Sequence, residues 1–223
     1  GAEGALDGRW RWLVQDTDSA FFYTDYDAIR QAQVLDKGGF LFGWLLQNPD
    51  FQAQFLTRLA DLMNSVFLPT HVMAEIDARE AGMELEMAEH IARWQTQERS
   101  LANWDEQVQL LREFATARPQ IMRQQLVAYF GLAGPFPFKV EADQAMGYVR
   151  VNSLALRAGS PGVENPGAWA GVYFLGQELH LSAVPLPGYR FSHWEGLDEQ
   201  KDPSLSLQPL ADLVLRAVFA PGD

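Results

Sequence analysis

The sequence predicts an α+β protein in two consecutive parts, a mostly helical one over residues 1–133 and a small all-β one over residues 134–223. Three observations lead there. Apolar residues recur at helical spacing from residue 40 to about 130, and beyond "GLAGPFPF" the period falls from 3.6 to 2. That stretch, rich in Gly and Pro, reads as a turn-rich linker. With 223 residues and 48% hydrophobic content, the chain can bury a sizeable core.

The elements run in order from the N-terminus. "RWRWLVQ", residues 9–15, alternates aromatics like a buried strand, and Asp16, Asp18, Asp25 and Asp27 come directly behind it. Carboxylates two apart on a strand point to opposite faces, so a strand that ends between Asp16 and Asp18 brings them together at its exit. In "DFQAQFLTRLADLMNSVF" the residues Phe51, Phe55, Leu59, Leu62, Met63 and Val66 form one helical stripe. Asn48 caps that helix, Pro49 stands in its first turn, and Pro69 closes it. Further helices are expected over 70–79, 84–94 and 102–116, and one from Pro119 to a terminating Gly131.

In the second part, Leu179, Leu181 and Ala183 alternate with His180 and Ser182. Leu213, Leu215, Ala217 and Phe219 alternate in the same way with Val214 and Arg216. With "GYVRVN", "GVYFLG" and "YRFSHWEG" this gives about five short strands. No internal repeat or low-complexity segment is visible.

Composition narrows the function classes. A net charge of −12, from 17 basic and 29 acidic residues, argues against a nucleic-acid partner, whose phosphates need clustered Lys and Arg. No apolar run reaches the roughly 18 residues of a membrane span, so a soluble globular protein is expected. "GAEGALDGRW" has no signal-peptide pattern and no initiator Met, and it reads as starting partway through a longer protein. The absence of cysteine removes disulfides, thiolate zinc sites and Cys nucleophiles.

Asp16 and Asp18 suit a hard cation such as Mg²⁺, which takes carboxylate oxygens and keeps waters and substrate phosphates as further ligands. On spacing alone a polar turn after a strand is the plainer reading. A calcium loop is rejected, because apolar residues stand where its ligands belong. Glu86, His90 and Trp94 share a helical face; without further ligands they are read as packing the helical part. Tyr189, Phe191, His193 and Trp194 offer a binding platform or, by preference, the core of a small sandwich. His180 and Ser182 lack an Asp partner for a hydrolase triad, and no glycine-rich phosphate loop occurs.

The run "GRWRWLVQDTD", followed by "FLFGWLLQNPDFQAQFLTRLADLMNSVFLPTHVMAEID", "EMAEHIARW" and "LREFATARP", resembles the C-terminal part of a CotH-type atypical protein kinase over residues 9–130. "NSLAL", "WAGVYFLGQELHLSAVPLPGYRFSHWEG" and "LRAVF" are similar to a divergent InlB B-repeat, a β-module appended to bacterial members. The first resemblance implies a mostly helical C-lobe, transfer of the ATP γ-phosphate to a protein hydroxyl as in spore-coat kinases, and Mg²⁺ and ATP as cofactors. It places Asp16 where kinases hold the Mg²⁺ that bridges the ATP phosphates, and gives Asp18 a supporting metal or structural role. Ser19-Ala20-Phe21-Phe22 departs from the family's Gly-containing continuation.

A kinase also needs a phosphate-contacting Lys, its ion-pair partner and a catalytic loop. All are expected upstream of Gly1, since only fifteen residues precede Asp16. The chain by itself is therefore expected to be inactive and to expose apolar surface. The resemblance also implies a protein substrate, a cell-surface or coat partner for the β-module, and a secreted or surface location in a bacterium. The rival reading is a non-catalytic surface scaffold with a degenerate kinase-like region.

Overall fold

The computed structural model describes residues 17, 20–21, 23–33, 40–94, 100–198 and 200–222. The expected strand at 9–15 lies outside them. The helices are α1 (Ala28–Gln31), α2 (Phe40–Leu45), α3 (Pro49–Met63), α4 (Pro69–Trp94) and α5 (Leu101–Phe130). Eight strands come after them: β1 (Pro135–Ala142), β2 (Gly147–Val151), β3 (Leu154–Leu156), β4 (Ala168–Phe174), β5 (Leu179–Pro185), β6 (Tyr189–Glu195), β7 (Ser204–Leu207) and β8 (Leu213–Pro221). The architecture is α+β.

α3 starts as expected: the Asn48 side chain accepts from the N–H groups of Asp50 and Phe51 at 2.9 and 3.2 Å, and Pro49 occupies the first turn. The fully buried positions are Leu56, Ala60, Asp61 and Met63, a face shifted from the apolar stripe, most of which is only half-buried. Pro69 opens α4 rather than closing α3.

The expected breaks at 79–84 and 116–119 are absent. Gly82 costs a helix interior only about 1 kcal/mol, too little to interrupt 26 residues that continue on both sides. Pro119 forfeits one hydrogen bond inside α5 and the helix runs through it. Gly131 ends α5 at φ 63°, and the Leu132 N–H returns to the Val127 carbonyl.

The strands form two four-stranded sheets, ordered β4-β1-β8-β6 and β3-β2-β5-β7, with β1 and β8 parallel and every other pair antiparallel. Among the described residues eight strands stand where about five were expected. "PFPF" is the start of β1 and not a linker: its prolines lie in the stretch paired to β4 alone, and β8 joins only from Phe138 onward. A strand tolerates Pro where one flank needs no donor. β3 and β7, of three and four residues, are too short to show a period.

The inner residues of both sheets share a buried cluster with Ile29, Leu56, Ala60, Met63 and Leu126 of the helical part. Trp194 is fully buried with its indole N–H on the Asp202 carbonyl at 3.0 Å, while Phe191 and His193 are half-buried beside it. Phe40, Leu41, Trp44 and Phe67 are exposed. No helix among the described residues is long and apolar enough to cross a membrane.

Candidate functional site

Asp16 and Asp18 lie outside the described residues, so the site is built from the segment behind them. The acidic cluster divides. Asp27 caps α1, accepting from the Arg30 N–H at 3.1 Å and pairing with its guanidinium at 3.1 Å. Asp25 takes part through its backbone. Its carbonyl and that of Tyr26 accept from Gln125 Nε2 at 2.9 and 3.3 Å, and the Thr24 carbonyl accepts from Arg118 Nη1 at 2.6 Å. Tyr129 adds a bond from its hydroxyl to Gln33 Oε1 at 2.6 Å.

One face of α5 therefore holds the segment that leaves the aspartate pair. Burial lowers the pKa of Arg118, and the charges of Asp27 and Asp25 oppose that shift. Phe21 rests against Phe114 at 4.9 Å between ring centres. Beneath it lies an apolar cavity of about 350 Å³ whose walls include Phe21, Leu59, Met63, Phe67, Phe114 and Met122. Apart from Arg118 the described walls are apolar and hold hydrophobic surface.

A second, polar cleft of about 600 Å³ lies between α3 and the β-sandwich, walled by Asp50, Arg58, Asp61, Ser153, Glu178 and His180 among others. Its floor is occupied by a closed network. Asp61, 0% exposed, accepts at Oδ1 from Asn152 Nδ2 at 3.1 Å and from the Tyr173 hydroxyl at 2.9 Å. At Oδ2 it accepts from the backbone N–H and the hydroxyl of Ser153, at 3.0 and 2.5 Å. Arg58 Nη1 donates to the same hydroxyl at 2.5 Å. Burial, then the neighbouring charge of Asp61, raises the Tyr173 pKa well above the ordinary tyrosine range, so the phenol stays a donor.

One turn further along α3, Asn64 pairs with both backbone groups of Val172, donating to its carbonyl at 2.8 Å and accepting from its N–H at 2.9 Å. Arg123 Nη2 of α5 donates to the same amide oxygen at 3.0 Å. Burial lowers the Arg123 pKa.

The other sequence candidates separate. Glu86, His90 and Trp94 are exposed on α4, which buries no residue, so the expected packing role is overturned. His90 only leans on Trp94, with ring centres 6.5 Å apart. His180 Nδ1 is 2.8 Å from the hydroxyl of Ser206, not Ser182. Among the described residues no group of three His, Asp or Glu is placed to hold a metal.

Sequence reasoning missed Asp61, Asn64, Arg118 and Arg123. The one available signal was polar Asp61 inside the apolar run "LADLM".

Comparison with known families gives one match: the model of the CotH kinase protein family covers residues 3–122, more than half of the chain. The matched span includes Asp16, Asp18, the docked segment and α3, and ends within α5. Neither the curated proteins nor the solved structures compared with the chain gave a match.

Proposed function

From the premise that this chain belongs to the CotH kinase protein family, we propose that it forms the C-terminal portion of a protein kinase that moves the ATP γ-phosphate onto a protein hydroxyl. Phosphoryl transfer leaves a protein little covalent work; positioning and charge stabilisation supply most of the rate. On this reading Asp16 holds Mg²⁺ and Asp18 supports it or the turn around it. The bound ion would neutralise charge on the phosphates.

The observation that carries the reading is the grip of α5 on the segment behind the pair. Arg118 and Gln125 fix the carbonyls of Thr24, Asp25 and Tyr26, beginning eight positions after Asp16. A metal-holding loop must keep its place while phosphates come and go, and such anchoring restricts it at its exit.

No lysine precedes Asp16 in this chain. A kinase needs one on an earlier strand, together with a catalytic loop. The β-sandwich, read as a divergent InlB B-repeat, would present the enzyme to a cell-surface or coat protein of a bacterium.

The test is incorporation of labelled γ-phosphate into protein hydroxyls by the full polypeptide that includes this sequence. Mg²⁺-dependent incorporation abolished by Asp16→Ala is the expected result. Incorporation unchanged in the variant would remove Asp16 from the site, and none at all in a folded protein would leave a scaffold.

A further inference from the structure

We infer that the β-sandwich and the helical part are one cooperative folding unit joined through Asp61, so that any surface the sandwich offers a partner is held in fixed orientation to the kinase-like part. The connection between the two is four residues, Gly131 to Gly134, and both ends are tied. The Leu132 N–H bonds to the Val127 carbonyl at 3.1 Å, and the Gly134 carbonyl accepts from the Leu175 N–H at 2.9 Å. A tether of that length, bonded at both ends, leaves no slack for independent tumbling.

The interface is built from groups that have little value apart. Asp61 is completely removed from water, and three of its four donors, Asn152, the Ser153 hydroxyl and the Ser153 N–H, come from the two-residue turn between β2 and β3. Asn152 takes φ 48°, the left-handed conformation that Asn tolerates better than most residues. The fourth donor, Tyr173, belongs to the other sheet, so the carboxylate draws both sheets to one point on α3.

A buried carboxylate stripped of these donors would bear a large desolvation penalty, and the turn would lose its acceptor. Gly162 supports the same contact from a third place: at φ 68°, a Cβ there would overlap the Ser65 carbonyl group. The loop before β4 thus lies flush against the end of α3.

Amide hydrogen exchange on the full chain tests the inference, because cooperative units lose protection together. Asp61→Asn keeps the shape and places a donor against donors. Amides at buried residues of α3, Leu56 and Ala60, and of the sandwich, Val149 and Leu181, should accelerate by one common factor, on the order of a hundredfold. If that variant does not fold, Tyr173→Phe removes a single hydroxyl and should give a common factor of roughly five. Acceleration confined to α3 while the sandwich keeps its protection would overturn the inference. So would two separate calorimetric transitions on heating the unaltered chain. None of these readouts depends on nucleotide binding, so the inference and the kinase reading fail separately.

Discussion

The side-chain amide of Asn64 stands in for a peptide unit, meeting the N–H and C=O of Val172 as a neighbouring strand would. β4 is an edge strand, and this pairing satisfies it where helix meets sheet. The amide also accepts from Arg123, so one residue links α3, α5 and the sandwich. Asn64→Ala would leave two peptide groups of β4 without these partners, and Asn64 itself is only 2% exposed. It should lower unfolding free energy by about 2–4 kcal/mol, measured by urea denaturation with an unchanged slope. A loss below roughly 0.5 kcal/mol would mean that water replaces the amide. Neither Asn64 nor Asp61 was legible beforehand as an interface residue, because a period of hydrophobicity reports apolar faces and this interface is centred on hydrogen bonds.

Among the elements, α5 does the most connecting. Its Ser100 cap, with the hydroxyl accepting from the Asn103 N–H at 3.1 Å, and its Gly131 terminus bound 30 residues. Along that length Arg112 binds Asp77 and Glu80 of α4, Arg118 and Gln125 hold the segment behind the aspartate pair, and Arg123 reaches Asn64. Pro119 sits between these grips, where it removes the N–H that would bond the Ala115 carbonyl. Pro119→Ala should restore that bond and raise stability by about 1–3 kcal/mol, read as a higher midpoint in thermal unfolding. A lower midpoint would show that the ring's packing on the apolar cavity outweighs the bond. The start of α3 and the end of α5 were legible because Asn48-Pro49 and Gly131 act through local backbone chemistry. The merging of the shorter helices was not, since Gly82 and Pro119 are outweighed by their neighbours. β1 was hidden for a related reason: Pro is a breaker only where both flanks of a strand must donate.

At the scale of the molecule, a kinase-family helical part and a β-sandwich share one buried cluster, and the family match ends within the helix that bridges them. The fold class, the placing of helices before strands and the family were legible in the sequence, because periodicity and a run of motifs in fixed order are spread over many residues. For the candidate site the sequence offered Asp16 and Asp18, through a resemblance to a metal-holding pair, and both lie outside the described residues. The side chains that anchor the segment behind them come from nearly a hundred positions away, a distance that no local pattern spans. Everything proposed about activity turns on whether Asp16 holds the metal of a nucleotide site, and a calorimetric titration of Mg²⁺·ATP into the full polypeptide and its Asp16→Ala variant measures that binding itself. Saturable, Mg²⁺-dependent heat is expected in the first protein and its loss in the second, with the same unfolding midpoint in both. Equal binding by the two proteins would take the metal away from Asp16.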